Sequence, residues 1–225
     1  MTKHEIVPLT KEEMRNLMFE IEKTDEFDYM FFYVLKTTGR REGELYGIQE
    51  KKEIGRKKVG ERTIYIEGKA TTVDRTIPIY KNTGRLIYGV KVKDIDLKEG
   101  VMKIWVLKKR QYRQDETVLT PEAIRLLDVY ISKNKLRLED HVFRKWDIRT
   151  LQKRIKVYAA QAGITHAVVI HNFRHYFVTE LKRLGWSDAD IQVLTGHKST
   201  DSLSTYKHII ARDLKEKTLS SLREL

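Results

Sequence analysis

The most constraining feature of this chain is the stretch EFDYMFFYVLKTTG, residues 26–39, which would carry apolar side chains on most sides of a helix. Such a helix needs other elements around it, so the pattern predicts a central helix that ends at Gly39. Helical spacing of apolar residues recurs before and after this stretch, with start signals at Thr10 and Ser187. The chain is therefore predicted to be mainly helical.

The period of the pattern changes between about residues 50 and 119. The segments RTIYIEG, RTIPIY, LIYGVKV and GVMKIWVL are short and rich in β-branched and aromatic residues, which predicts strands joined in hairpins. Helical spacing resumes at Pro121, directly after the capping residue Thr120. We therefore predict an α+β fold, mainly helical, with a small antiparallel β-region in the first half and a single domain over residues 1–225.

Composition narrows the possible partners and compartments. The 225 residues carry a formal net charge of +12, which favours a nucleic acid partner over a membrane surface, or a basic protein without an anionic ligand. The absence of cysteine excludes disulfides and thiolate metal sites. The sequence has no apolar run long enough to span a membrane and no signal peptide at its start, so we expect an intracellular, cytoplasmic protein.

One segment near the C-terminal end concentrates basic side chains at helical spacing. His171, Arg174 and His175 lie at i, i+3 and i+4, so they share one helix face, and His197 follows Gly196. The segment could be a solvated surface with no ligand. A zinc site at the first and third of these residues is the other alternative, but no glutamate lies between the histidines and an arginine does.

An arginine between two histidines is well suited to hold a phosphate group. Arginine donates two hydrogen bonds to two phosphate oxygens, and histidine donates or exchanges a proton near neutral pH. A nearby tyrosine could then attack the phosphate and form a covalent ester. Fixed cations stabilise the charge that develops in such a reaction, so neither a metal nor another cofactor is expected.

Three separated motifs carry a resemblance to the tyrosine recombinase, or phage-type integrase, family. The family pattern H-x-L-R-H resembles HNFRH at residues 171–175, and its L-G-H resembles LTGH at 194–197. Tyr206 follows nine positions after the last histidine, as in the family. The family motif T-G-x-R-x-x-E-L resembles TGRREGEL at 38–45, and its spacing selects Arg41 rather than Arg40. The resemblance covers about residues 8–210.

The resemblance implies a role for each matching residue. Tyr206 would be the nucleophile that joins DNA through a 3′-phosphotyrosine, and two arginines would clamp the scissile phosphate. His171 would exchange a proton, and His197 would donate a hydrogen bond to the phosphate. His175 would be a supporting residue, Glu44 would orient its neighbours, and Tyr176 is interpreted as core packing. The implied catalytic set is Arg41, Lys108, His171, Arg174, His197 and Tyr206.

The family also uses a lysine on a β-hairpin as the general acid for the leaving 5′-oxygen. Two stretches compete for this role. The one that follows DIDL and precedes a capped helix matches better, so we rank Lys108 first, Lys109 second and Lys69 third. On this interpretation about residues 50–90 are a β-rich basic insertion, which either touches the DNA backbone or is a solvated loop.

The resemblance further implies partners and rival functions. Double-stranded DNA is the expected partner, with self-association on DNA. The C-terminal helical tail at residues 212–225 either docks on a neighbouring copy for this purpose or folds back onto its own domain. Because the first predicted helix begins near residue 10, where the family's catalytic domain normally starts, we expect this sequence to lack the family's N-terminal DNA-clamping domain, either as part of a longer protein or as a minimal enzyme. The rival functions are a DNA-relaxing enzyme like the type IB topoisomerases and a DNA-binding accessory protein with a decayed site.

Overall fold

The computed structural model describes residues 9–66, 69–108 and 111–196. The chain divides into two compact units. Residues Ile48–Ile87 form one unit, which we call the ribbon, and the residues before and after it form the other, the helical unit. In the described part, no helix is both long enough and apolar enough to cross a membrane.

The described part of the helical unit contains seven α-helices and a small sheet. The helices are α1 (Lys11–Thr24), α2 (Glu26–Thr38), α3 (Glu42–Tyr46), α4 (Pro121–Lys133), α5 (Ile148–Gln161), α6 (His171–Arg183) and α7 (Asp188–Thr195). The three strands are β3 (Ile95–Asp96), β4 (Val101–Lys108) and β5 (Gln111–Val118), preceded by a 3-10 turn at Val92–Asp94. This confirms the predicted α+β class.

The helices begin where the sequence predicts, because polar side chains satisfy their first N–H groups. The Thr10 side chain accepts a hydrogen bond from the Glu13 N–H, and the Glu13 carboxylate accepts one from the Thr10 N–H at 2.8 Å. Thr120 caps α4 and Ser187 caps α7 by accepting a hydrogen bond from the N–H groups of Ala123 and Asp190. These contacts confirm the three predicted start signals.

Helix α2 lies at the centre of the helical unit, as its apolar sequence predicts. Phe27, Phe31 and Phe32 are fully buried. The ring of Phe32 stacks on Phe173 of α6 with 5.1 Å between centroids. Truncating such a buried ring to alanine costs about 3–5 kcal/mol. The packing therefore fixes α2 against α6, the helix that carries HNFRH.

The sheet of the helical unit is antiparallel in the order β3-β4-β5. Along β4, Met102, Ile104 and Val106 alternate with more exposed residues and are buried. Their partners across β5 are Thr117, Asp115 and Arg113. One face of the sheet therefore packs on the core and carries polar side chains of β5 beside it.

The ribbon consists of two long antiparallel strands, β1 (Ile48–Ile66) and β2 (Lys69–Ile87). The sequence predicted several short strands here, and the predicted strand LIYGVKV does not extend past Ile87. Tyr88, which follows, has a positive φ of 58°. The strands run on through their glycines because three shifts of register, two of them single-residue bulges, are absorbed within the pairing.

Candidate active site

The first turn of α6 presents the basic side chains that the spacing predicted on one face. His171 and His175 are half-buried one turn apart, with perpendicular rings and 4.7 Å between their centroids. Arg174 lies between them in the sequence and is only 3% exposed. The structure therefore brings these three predicted residues together at the start of one helix.

The Arg174 guanidinium lies where the C-terminal ends of two helices meet. Its Nη1 donates to the Gly39 carbonyl, at the end of α2, at 2.7 Å and to the Thr195 carbonyl, at the end of α7, at 2.8 Å. Carbonyls at helix ends lack partners within the helix and carry partial negative charge, so they bind a cation well. These contacts fix Arg174 in place while it is buried.

Gly39 permits the close approach of α2 to α6 at this point. Its φ is +60°, and a Cβ built on it would lie 2.2 Å from Cδ1 of Phe177. Any other residue would therefore both strain the backbone and collide with an α6 ring. The glycine of the TGRREGEL motif is thus required by packing directly beside the arginine of HNFRH.

Arg41 is held by the buried carboxylate of Glu44. Its backbone N–H donates to Glu44 Oε2 at 3.0 Å, and its Nη1 donates to Glu44 Oε1 at 3.0 Å. Glu44 is fully buried, whereas the Arg41 side chain stays 26% exposed. Glu44 therefore orients Arg41 and leaves part of the guanidinium accessible to a ligand.

The adjacent Arg40 has a different environment. It is 2% exposed, its Nη1 lies 3.3 Å from Asp115 Oδ2, and its Nη2 donates to the Glu116 carbonyl at 2.8 Å. A Cβ on Gly196 would lie 3.0 Å from the same Nη1. Arg40 therefore joins the α2–α3 junction to β5 and packs under the end of α7.

The cations of this region act on one another electrostatically. Burial, His175, Arg174 and Arg41 together lower the pKa of His171 from 6.5 to about 4. Burial and then the charge of Arg41 lower the pKa of Arg174 to about 10. At neutral pH the site thus combines charged arginines with a neutral imidazole, which can accept a proton while the arginines hold an anion.

The other predicted site residues differ in how far the structure describes them. His197, Tyr206 and Lys109 lie outside the described residues, as does the tail at 212–225. Lys108 is the last residue of β4 in the helical unit, where its backbone pairs with Gln111. Lys69 is exposed at the start of β2 in the ribbon. The roles assigned to these residues stay predictions.

Near the site, the sequence predicted the place of Tyr176 but not the partner of Arg40. Tyr176 is 2% exposed, which confirms its interpretation as core packing. Sequence reasoning missed the contact between Arg40 and Asp115, because the partners lie 75 residues apart and no local pattern links them. The available signal was that Asp115 lies on a strand whose alternate residues face the core, where a carboxylate needs a partner.

Part of this chain matches known proteins. A model of the Phage integrase family matches residues 85–212, more than half of the chain. Tyrosine recombinase XerA of Saccharolobus solfataricus is 31% identical over 137 residues, which cover 60% of this chain and 44% of that protein. Tyrosine recombinase XerD of Proteus mirabilis is 30% identical over 143 residues, with 57% and 44% covered. The match therefore spans less than half the length of these relatives.

Solved structures show the same fold. The crystal structure of XerA recombinase has a TM-score of 0.60 at 22% identity and covers 96% of this chain and 65% of its own. The lambda integrase catalytic core has a TM-score of 0.52 at 16% identity and covers 87% of this chain and 94% of its own. At these identities the likeness establishes the architecture alone.

Proposed function

The chain belongs to the phage integrase family, and we propose that it is a site-specific recombinase that cleaves and rejoins DNA strands through a 3′-phosphotyrosine ester. The observation that carries the proposal is the arrangement of Arg174, Arg41 and His171. Two positioned guanidinium groups act on an imidazole that is neutral at physiological pH. Such a site suits a phosphodiester, which needs its negative charge held while protons move at the attacking and leaving oxygens.

The proposed reaction follows from the roles of these groups. The Tyr206 phenol attacks the scissile phosphorus and gives its proton to His171. The new phosphorus–Oη bond replaces the bond to the 5′-oxygen, which takes a proton from Lys108. Attack of a 5′-hydroxyl on the ester reverses these steps and rejoins DNA. Since the ester retains the energy of the broken bond, the reaction needs no nucleotide cofactor.

Preorganisation of the arginines supports the proposal. Carbonyls at the ends of α2 and α7 hold Arg174, and the carboxylate of Glu44 holds Arg41. These contacts come from groups of the protein itself, so the arginines need little reorganisation when charge develops on the phosphate. Removing one such donor from an active site costs about 10²–10³ in rate.

The partners are proposed from charge and from the relatives. The net charge of +12 favours a polyanion. A lambda integrase dimer is bound to a core site in one solved structure, and a lambda integrase tetramer is bound to a Holliday junction in another. We propose that this chain likewise binds duplex DNA and self-associates on it. His197 would complete the phosphate contacts.

The test is formation of a covalent protein–DNA adduct on a nicked suicide substrate, measured on a denaturing gel. Tyr206→Phe should abolish the adduct and leave DNA affinity within about twofold, because one hydroxyl contributes little to phosphate binding. Tyr176→Phe is the matched control and should keep the adduct. An adduct in the Tyr206→Phe protein would remove this residue from its role. Strand exchange between two sites, rather than relaxation of supercoils alone, distinguishes a recombinase from a relaxing enzyme.

A further inference from the structure

The two faces of the ribbon differ in charge. Side chains alternate along β2 between Lys69 and Lys81, so its odd-numbered residues share one face. The register places three cations of β1 on that face, opposite Lys81, Ile77 and Val73. We call it the basic face, and among the described residues it carries no acidic side chain. Its cations are Lys52, Lys57, Arg62, Lys69, Arg75 and Lys81.

The opposite face balances its charges. Between Lys51 and Tyr65 it carries three cations and three carboxylates, counting both strands. Arg56 pairs with Glu53 at 3.4 Å, and Lys58 pairs with both Glu61 at 2.7 Å and Asp74 at 2.6 Å. Every ion pair found within the described ribbon lies on this face. The cations of the basic face are exposed and have no carboxylate within 4.0 Å among the described residues.

Two β-bulges create the basic face. Lys52, Lys57 and Arg62 are five residues apart, an odd spacing that would place neighbours on opposite faces of a regular strand. Irregularities between Glu53 and Gly55 and between Lys58 and Gly60 leave Ile54 and Val59 without partners on β2. Each extra residue shifts the alternation by one position. The bulges therefore bring all three cations to one face.

This arrangement is unfavourable for the ribbon alone. Lys52 lies directly opposite Lys81, and like charges opposite each other destabilise a strand pair. Ile77 and Ile79, on the same face, are 48% and 44% exposed. A two-stranded hairpin is at best marginally stable in water. A polyanion bound to this face would neutralise the cations and offset the repulsion between them. The charge pattern therefore favours a polyanionic ligand.

We propose that the basic face binds the phosphate backbone of duplex DNA. The inference rests on the proposed function in taking DNA as the substrate. From Lys69 to Lys81 the face spans about 40 Å at ~3.3 Å per residue, more than one duplex turn of about 34 Å. A two-stranded β-ribbon fits the major groove, whose rims are phosphates. The half-exposed isoleucines would lie against the sugar and base edges between them.

The experiment compares two triple variants of the full chain that lose equal charge. Lys57→Gln, Arg62→Gln and Arg75→Gln change the basic face; Lys51→Gln, Arg56→Gln and Lys58→Gln change the opposite face. The dissociation constant of a duplex of about 30 base pairs and arbitrary sequence is measured between about 50 and 200 mM salt. The basic-face variant should bind at least about tenfold more weakly at low salt. The slope of its log affinity against log salt concentration should be smaller in magnitude by about 2.7, because three phosphate contacts are lost. The control should change by less than about threefold.

A third variant separates charge from folding. Lys57→Arg, Arg62→Lys and Arg75→Lys keeps the cations and should keep the affinity, whereas equal weakening of this variant would show that the side chains act through the fold. Equal losses in the two glutamine variants, or no loss in either, would overturn the proposal. Loss of assembly on duplex DNA in sedimentation, with unchanged DNA affinity, would assign the face to a second copy instead.

The test of DNA binding by the ribbon and the test of the proposed recombinase activity can fail independently. With saturating DNA, the basic-face glutamine variant should still form the covalent adduct, because none of its three changes touches the site around Arg174. If the wild-type protein forms no adduct, the recombinase proposal fails, and the affinity difference between the two glutamine variants still decides the role of the ribbon.

Discussion

Two adjacent arginines, Arg40 and Arg41, have opposite environments. The resemblance of TGRREGEL to the family motif implied that Arg41, rather than Arg40, faces the scissile phosphate. In the structure Arg41 is partly exposed and lowers the pKa of His171, whereas Arg40 is buried against β5. The catalytic role of Arg41 stays a prediction. The partner of Arg40 could not be predicted, because Asp115 becomes its neighbour only when the sheet packs.

The Arg40–Asp115 pair should affect the stability of the fold, whereas Arg41 should affect the rate of cleavage. Among the described residues, Asp115→Ala leaves the buried Arg40 guanidinium with only the Glu116 carbonyl as partner, so we expect the free energy of unfolding to fall by about 3 kcal/mol or more. Arg41→Lys keeps a cation beside the fully buried Glu44 carboxylate and should cost about 1 kcal/mol or less, yet it loses the guanidinium and should cut the cleavage rate at least about 10²-fold. Denaturant unfolding and single-turnover cleavage measure the two effects. Equal stability losses would contradict the assignment.

The depressed pKa of His171 predicts how stability depends on pH. Its folded value of about 4 lies below the unfolded value of about 6.5, so between these values the unfolded chain binds more protons. This contribution therefore makes stability fall as pH is lowered from about 6.5 toward 4. His171→Gln removes it, so the variant should lose less stability than the wild type between pH 7 and pH 5. Parallel losses in urea titrations would refute the shift.

At the scale of elements, the helices and the β-character of the ribbon were predictable, but the continuity of its two strands was not. Helix α4 begins at Pro121 after Thr120 as predicted, because cap residues act locally. In the ribbon, the residues that suggested breaks between short strands instead lie in two continuous strands. Bulges at Ile54 and Val59 allow this, and whether a residue is bulged depends on the opposite strand. The role of this segment as an insertion stays a prediction.

The hairpin of β4 and β5 predicts where the general acid lies. Lys108→Ala should slow cleavage of ordinary DNA by about 10²–10⁴. Replacing the scissile 5′-oxygen by sulfur should restore the rate, since a thiolate leaves without a proton. Arg174→Ala should not be rescued, because phosphate charge must still be held. Lys103→Ala, on the exposed side of the same strand, is the control.

Lys69 is the rival candidate for the general acid, and the same experiment tests it. It lies in the ribbon rather than in the helical unit that holds Arg174, and its replacement by alanine should leave cleavage of ordinary DNA almost normal. If sulfur rescued Lys69→Ala while Lys108→Ala cleaved normally, the hairpin assignment would be wrong. Rescue of Lys109→Ala alone would move the general acid by one residue.

At the scale of the whole molecule, fold class and family were predictable because they depend on patterns spread along the chain. The apolar helix α2, the caps and the separated motifs each constrain one architecture. The contacts that hold the site were not predictable in this way. Arg174 is fixed by carbonyls of Gly39 and Thr195, and main-chain groups leave no signature in the sequence.

Assembly on DNA is the last property predicted at this scale. The tail at residues 212–225 lies outside the described residues, but its sequence places Leu214, Thr218 and Leu222 at i, i+4 and i+8. This predicts a short helix with a narrow apolar stripe, which needs a surface to pack on. One such stripe buries too little area for a stable complex in solution, so docking on a neighbour requires DNA to hold the copies together.

We therefore expect the protein to sediment as a monomer and to assemble when duplex DNA is added. Deleting residues 212–225 should leave cleavage of a single site within about threefold, and should lower strand exchange between paired sites by about tenfold or more. The matched control replaces Leu214 and Leu222 by serine and should reproduce the exchange defect, because it removes the stripe and keeps the length. If the truncated chain unfolds or loses single-site cleavage, the tail packs on its own domain and the docking prediction is wrong.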